Sequence, residues 1–274
     1  MPKLLVNLAL AGLFACGGNS NNTTVDGHGS GSGSGSGSNM GSGSGSNPAG
    51  AYACLGDSAP SPQAMVSIAG TIDTVNASYA VGPLGSASVT VCTGDCTGAN
   101  ALGSATTGSD GTFSAGPFAT NGTAIAAYLK VTDATYVTTL AYPGAPLASN
   151  GTAQAIDFST SFESLLPDIT LAIPGSKCGS GMGLIGVLIT DCNNTQITDT
   201  ANLTVTVQQN GSDAGDGVIS VGSALASFNG FYIDCEVPDG TTTIKASYKG
   251  MDFLPNTVNS VTGDAIEAVV RPGY

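Results

Sequence analysis

Hydrophobic and polar residues alternate along short segments through most of the chain after residue 64. From Ala87 to Val91 every second residue is apolar, which is the period of a β-strand with one buried face. Similar segments recur, separated by Gly, Asn and Asp, and Asp110-Gly111 is a turn signal between two extended runs. The pattern predicts an all-β protein made of antiparallel sandwiches.

The order of these segments occurs twice. The run "GLIGVLITDCNNTQI" at 183–197 corresponds to "MVSIAGTIDTVNA" at 65–77, and "ANLTVTVQQ" at 201–209 corresponds to "ASVTVCTG" at 87–94. A Gly-aromatic segment follows in both halves, at 109–113 and at 229–233. We therefore predict two copies of one module of about 90 residues.

Both copies resemble the carboxypeptidase regulatory-like domain, a transthyretin-like (prealbumin-like) sandwich. Its pattern is Gly-x-Val near the start, a Pro-(Leu/Val)-x-Gly-Ala-x-Val strand, and Asp-Gly-x-Phe leading to a turn with proline. The first copy matches at Pro83, Ala87, Val89, Asp110, Gly111 and Phe113. The second copy matches at Gly186, Val205, Gly230, Phe231, Val237, Pro238 and Gly240, with Asn229 in place of the Asp. The resemblance implies two tandem sandwiches and no catalysis.

The N-terminus has the pattern of an export signal. Lys3 precedes an apolar run from Leu4 to Ala15, which is too short to cross a bilayer core of about 30 Å. The end of this run, "LFAC", resembles the lipobox of bacterial lipoproteins, although Phe14 departs from its usual small residue. The resemblance implies that Cys16 is lipidated. An ordinary signal peptide that is cleaved elsewhere is the alternative.

A polar tract rich in Gly and Ser follows Cys16 and continues to about Ala49. Such a tract cannot bury enough apolar surface to fold, so we expect a disordered tether with a root-mean-square span of roughly 30–35 Å. The only histidine, His28, lies inside this tract. The predicted organisation is a signal peptide (1–15), a tether (16–50), a first module (51–150), a connector (151–178) with a short helix near Ser161, and a second module (179–274).

Cysteine usage suggests disulfides in an exported chain. Without Cys16 an even number remains. The five-residue span of Cys92 and Cys96 favours a local bridge, Cys192 and Cys235 could join two strands, and Cys54 would then pair with Cys178. Neither paired Cys-x-x-Cys motifs nor clustered histidines are available for zinc.

The charge balance excludes nucleic acid as a partner. The formal net charge is -13, and the six Lys and Arg residues are scattered, so no basic surface can neutralise phosphates. Catalytic chemistry has little support, because a Ser-His-Asp triad has no histidine in the folded region. Asp213 and Asp216 are weak Ca²⁺ candidates, for which a solvated turn is the better interpretation. We expect no cofactor.

These observations predict a non-catalytic, lipid-anchored cell-surface protein whose modules mediate adhesion, spacing or assembly of an envelope complex. Gly17 is not the Asp that retains lipoproteins at the inner membrane of familiar enteric bacteria, which favours the outer membrane. The alternative is a carbohydrate- or peptide-binding surface module. Sugar binding would require exposed aromatic side chains, and because Trp is absent, three exposed tyrosines on one face would support it.

Overall fold

The protein is almost entirely β-structure, which confirms the predicted class. The computed structural model describes residues 50–75, 81–163, 183–223 and 230–274, so the predicted signal and tether, with Cys16 and His28, lie outside the described residues, as does Cys178. Within them the helical turns are short, and the α-helix α1 is Thr160–Glu163. None of the helices in these ranges is long and apolar enough to span a bilayer.

The strands of the first half differ in burial: Thr112–Ala119 alternates buried and exposed residues over most of its length, as the pattern predicted, whereas Thr139–Tyr142 is buried throughout. The strands of this half are β1 (Met65–Val75), β2 (Val81–Pro83), β3 (Ser88–Cys92), β4 (Ala101–Thr106), β5 (Thr112–Ala119), β6 (Tyr128–Thr132), β7 (Thr139–Tyr142) and β8 (Gly151–Phe158).

The second half supplies a further series. Its strands are β9 (Leu184–Ile189), β10 (Leu203–Gln209), β11 (Ser212–Asp213), β12 (Ile219–Ser220), β13 (Phe231–Cys235), β14 (Gly240–Tyr248), β15 (Met251–Asp252), β16 (Asn256–Ser260) and β17 (Ala265–Val270).

The described strands form three sheets. The central sheet has the order β12-β13-β9-β17-β7-β6-β3-β4 and contains strands from both halves of the chain. The first side sheet consists of β2, β1, β5 and β8, and the second consists of β11, β10, β14, β15 and β16.

Strand pairing supports the internal repeat. In the first half β1 pairs antiparallel with β5 and parallel with β8, and in the second half β9 pairs in the same ways with β13 and β17. The ladders of β3 with β4 and β6 likewise correspond to those of β10 with β11 and β14. In this correspondence β8 is equivalent to β17, and β7 to β16.

The two repeats are joined inside one sheet rather than by a linker between separate sheets. Strand β17 pairs in parallel with β9 of its own repeat and also with β7 of the first repeat. The β7 ladder runs from Ala265 opposite Thr139 to Ala268 opposite Tyr142. Sequence patterning predicts strands but not their partners, so neither this shared sheet nor its parallel pairs were predicted.

The side sheets cover opposite faces of the central sheet. Leu129 of β6 lies in a core with Val66 and Ile68 of the first side sheet. The preceding residue, Tyr128, lies in a second core with Val207 and Ile244 of the second side sheet. Since successive residues of a strand point to opposite faces, each side sheet must pack on its own face.

Strand β8 lies in the stretch predicted to be a connector. Ala153 and Ala155 point into the first core, and the whole strand runs parallel to β1. The first sandwich therefore extends beyond residue 150, to Phe158. The prediction placed this segment in the connector, although its period of two fits a strand. The predicted short helix near Ser161 is present in part as α1.

The glycine of the Gly-aromatic segment lies in a turn in both repeats. Gly111 (φ 75°) and Gly230 (φ 87°) adopt left-handed backbone conformations. A Cβ on Gly111 would lie 2.5 Å from the carbonyl oxygen of Ile72, and one on Gly230 would lie 2.3 Å from that of Ile197, so only glycine fits either position. Phe113, two residues after Gly111, is buried in the first core.

The disulfides differ in part from the predicted pairing. Cys92 is bonded to Cys96, and Cys54 is bonded to Cys192. The predicted bridges Cys192–Cys235 and Cys54–Cys178 are therefore wrong. The spacing could not show that the chain before β1 reaches the second repeat, where the N–H of Cys192 donates to the carbonyl of Ala51. Cys235 is also disulfide-bonded, and its partner is not among the other described cysteines.

We predict that the Cys54–Cys192 bridge stabilises the fold more than the local one. The chain-entropy relation gives about 5 kcal/mol for closing a loop of sequence separation 138 and about 2 kcal/mol for a separation of 4. The double variant Cys54→Ser/Cys192→Ser should therefore lose clearly more free energy of unfolding in a urea titration. Cys92→Ser/Cys96→Ser is the matched control, and equal losses would contradict the prediction.

Candidate functional site

A cavity of about 560 Å³ lies where the first repeat meets β17 of the second. This size is within the range of small-molecule and short-peptide sites. Its walls come from the segment between β7 and β8, the first half of β8, the alternate residues of β17 on one face, the turn after Cys192 and the C-terminal Tyr274.

The floor is formed by Glu267 and Val269 of β17 and by Arg271, which directly follows the end of that strand. Glu267 and Val269 share one face because they are two apart along the strand. Arg271 is the only arginine in the chain. The floor therefore has a carboxyl group and a guanidinium at its two ends, with an apolar side chain between them.

The roof is the β7–β8 segment, which runs from Pro143 to Asn150 and is rich in Pro and Ala. Several contacts hold it in place. Leu147 forms a β-bridge with Ile125, the N–H of Ser67 donates to Oδ1 of Asn150 (2.8 Å), and Nδ2 of Asn256 donates to the carbonyls of Pro143 and Val269. Both repeats thus fix the roof.

The turn at Asn193 and Asn194 forms part of the rim. Oδ1 of Asp191 accepts hydrogen bonds from the N–H groups of Asn193 and Thr195, both at 2.8 Å. The neighbouring Cys192 is held by its bridge to Cys54. The polar rim is consequently built on a constrained turn.

Glu267 closes one end of the cavity. Its side chain is buried, and its Oε2 and Oε1 accept the backbone N–H of Ile156 at 3.0 and 3.3 Å. Burial raises the pKa of this carboxyl to about 8, despite the hydrogen bond from Ile156. Glu267 is thus mainly protonated at neutral pH, and it ties β17 to the outer edge of β8.

Asp157 lies beside Glu267 and is fully buried. Its Oδ1 accepts a hydrogen bond from Oγ1 of Thr139 at 3.0 Å. Its Oδ2 has no hydrogen-bond partner in the described part of the chain. Burial raises the pKa of Asp157 to about 7, so the joint between the repeats holds two carboxyl groups that resist ionisation.

The two calcium candidates do not form a metal site with each other. Asp213 is exposed on β11, and Asp216 lies three residues on in the following turn. The buried Asp234 is nearby, and its Oδ1 accepts the N–H of Gly217 at 3.1 Å. Burial, with a smaller effect of Asp216 and Asp213, raises the pKa of Asp234 to about 7. Among the described residues no group of three or more acidic, His or Cys side chains is placed to hold a metal.

The tyrosines do not form an exposed platform in the described ranges. Tyr128 and Tyr142 stack with ring centroids 4.7 Å apart in the second core, and Tyr232 and Tyr248 are buried there too. Tyr52 and Tyr136 pack against the cores as half-buried rings, and Tyr274 lines the cavity. Tyr79 lies outside the described residues. The three exposed tyrosines on one face that would support sugar binding are therefore not found among the described residues.

Sequence reasoning missed the cavity residues. Glu267 stands in the apolar run "AIEAVV", and a lone acid in such a run signals a buried carboxyl. The roof and rim residues carry no comparable signal, because Pro, Ala and Asn are ordinary loop residues. Chemically, the site offers mostly small apolar walls, a few hydrogen-bonding groups, a protonated acid and the guanidinium of Arg271, which suits binding rather than group transfer.

Comparisons with known proteins identify no family for this chain. No family model and no curated protein matches it. Among solved structures, the Bacillus anthracis TIE protein aligns at 13% identity over 76% of this chain and 34% of its own, with a TM-score of 0.24.

Two other solved structures are similar at the same level. The shaft pilin SpaA of Lactobacillus rhamnosus GG aligns at 9% identity over 77% of this chain and 98% of its own, with a TM-score of 0.24. A fimbrial protein of Bacteroides ovatus aligns at 11% identity over 76% and 49%, with a TM-score of 0.23. TM-scores of this size do not establish a common fold, and no conclusion about this chain rests on them.

We predict that stability falls as the pH rises because of the buried acids. The pKa of Glu267 in the folded protein, about 8, lies above its ordinary value of 4.5. The folded state then binds more protons than the unfolded state between these limits, and one such group lowers the free energy of unfolding by up to about 1.4 kcal/mol per pH unit. Glu267→Gln, which cannot ionise, should lose less stability between pH 5 and pH 8, as measured by urea unfolding.

Asp252→Asn is the control for this prediction, since it removes an exposed carboxyl on β15. Its pH profile should run parallel to that of the native chain. The assignment would be refuted if Glu267→Gln also ran parallel, because Glu267 would then titrate alike in both states.

Proposed function

We propose that this chain is a non-catalytic surface protein, anchored by lipid on Cys16 and held away from the membrane by its Gly/Ser tether. The double sandwich would then mediate adhesion, spacing or assembly of an envelope complex. The proposal combines the lipobox resemblance, the low-complexity tract and the repeated β-modules. Membership of the two repeats in the carboxypeptidase regulatory-like class is part of the same proposal.

The observation that carries this proposal is the β17–β7 ladder. It makes the two repeats parts of one continuous sheet, and the Cys54–Cys192 bridge adds a covalent link between the N-terminal segment and the second repeat. Bending the repeats against each other would break backbone hydrogen bonds in the core. A body of this kind keeps a fixed distance between its ends, which suits a spacer or an adhesive module.

Ligand binding is a second candidate function, and the cavity at the joint favours it. The cavity has a shape and size suited to a ligand. Its roof and rim are held by contacts from both repeats. A binding module and a spacer are compatible roles for one anchored protein.

Lipid attachment is tested by metabolic labelling with a palmitate analogue. The native chain should incorporate the label and fractionate with the outer membrane. Cys16→Ala should lose both properties, because the acylated thioether cannot form. Ser20→Ala, a substitution in the tether, is the matched control. Label incorporation unchanged by Cys16→Ala would refute the anchor.

A further inference from the structure

We propose that the cavity binds an extended peptide of a partner protein, which adds as a strand along the outer edge of β8. This inference rests on the proposed function as a surface module and names the kind of partner that the module would hold. The cavity, the backbone of β8 and the internal repeat support it in three steps.

The repeat shows what an equivalent strand edge binds. Strand β17 is equivalent to β8, and it is paired on both sides, with β9 on one and with β7 in parallel on the other. Among the described strands β8 is paired with β1 alone. The place that β7 occupies beside β17 therefore corresponds to the space beside the outer edge of β8, and the cavity lies in that space.

The backbone of β8 points its hydrogen-bonding groups into this space. The N–H of Ile156 faces away from β1, because it donates to Glu267. Backbone groups alternate in direction along a strand, so those of Gln154, two residues earlier, face the same side. Gln154 lines the cavity. No hydrogen bond to its backbone from that side is present in the described part of the chain.

The dimensions and walls suit a short segment with small side chains. Four residues of β8, Gly151–Gln154, line the cavity, and a strand of that length spans about 13 Å. Pro143, Pro146 and Leu147 enclose it from the roof. Small side chains fit these walls, and the floor adds the guanidinium of Arg271. Glu267 ends the groove because its carboxyl already accepts the N–H of Ile156.

A peptide is a better occupant than a glycan on two grounds. A strand edge recognises a main chain through its repeating N–H and C=O groups. Sugar sites rely on exposed aromatic rings, and Tyr274 supplies the cavity with one half-buried ring beside the buried Tyr142.

The probe is a capped, fluorescein-labelled peptide with the sequence of residues 138–143, TTLAYP, which contains β7. Binding to the full chain in mild detergent is followed by fluorescence anisotropy. Two further probes carry N-methyl groups on alternate residues, one on Leu and Tyr and the other on Thr and Ala. Strand addition predicts that one methylated probe binds like the parent and the other binds about tenfold more weakly, since alternate N–H groups face β8.

Two protein variants test whether the peptide binds at the cavity. Ser149→Trp adds a bulky ring at the exposed roof and should weaken the parent probe about tenfold or more. Ser104→Trp, on the exposed edge strand β4, is the matched control and should bind normally. Thermal unfolding of both variants shows whether each remains folded, and the methylated probes keep the test decisive if Ser149→Trp does not.

Three outcomes would overturn the inference. They are no binding of the parent probe or of a panel of capped hexapeptides, equal binding of the two methylated probes, or binding of neutral oligosaccharides that Ser149→Trp abolishes while peptides do not bind. If peptides do not bind but Cys16 is labelled, the strand-addition inference is refuted and the lipid anchor stands. If Cys16 is not labelled but peptides bind, the lipid anchor is refuted and the strand-addition inference stands.

Discussion

The parallel pairing of β17 with β7 is the constraint on which the rest of the structure depends. It inserts the last strand of the chain between β9 and the first repeat, so the two sandwiches share a sheet. Because the side sheets lie on opposite faces of that sheet, strands near the joint have both faces buried. Ile266 of β17 and Leu140 of β7 point into the second core, while Glu267 and Ala141 point to the other side.

This double burial explains the unusual chemistry at the joint. A strand buried on both faces needs apolar residues at every position, and β17 obeys this except at Glu267. The carboxyl of Glu267 accepts the backbone N–H of Ile156 at the edge of β8. Without this carboxyl, that N–H would lose its hydrogen-bond partner. In the second side sheet the hydroxyl of Tyr142 accepts the N–H of Asn259 on β16 at 3.1 Å. Each side sheet thus has an edge N–H that bonds a side chain of the central sheet.

The sequence was sufficient for what depends on local pattern and insufficient for what depends on pairing. Alternation from Ala87 to Val91 and the Asp110-Gly111 turn predicted strands and their joints, since burial period and positive φ are local properties. The partner of β17 and the path that brings Cys54 to Cys192 were missed, because each depends on contacts far apart in the chain. The strand β8 was missed although its local period of two fits a strand. The cavity was missed because its floor, roof and rim come from three segments that are far apart in the chain.

The position of Glu267 also limits how the outer edge of β8 can be used. An uncovered strand edge invites indiscriminate pairing with other chains. Here the carboxyl blocks the edge at Ile156, and the roof between Pro143 and Asn150 encloses the part before it. Gln154, whose backbone has no hydrogen bond on that side within the described part of the chain, lies inside a walled cavity rather than on an open surface. An edge of this kind excludes long strands, because residues on either side of the paired segment would collide with the walls. It accepts a short extended segment. The walls and the Glu267 carboxyl, which protect the fold from aggregation, therefore also set the length of peptide that the edge can bind.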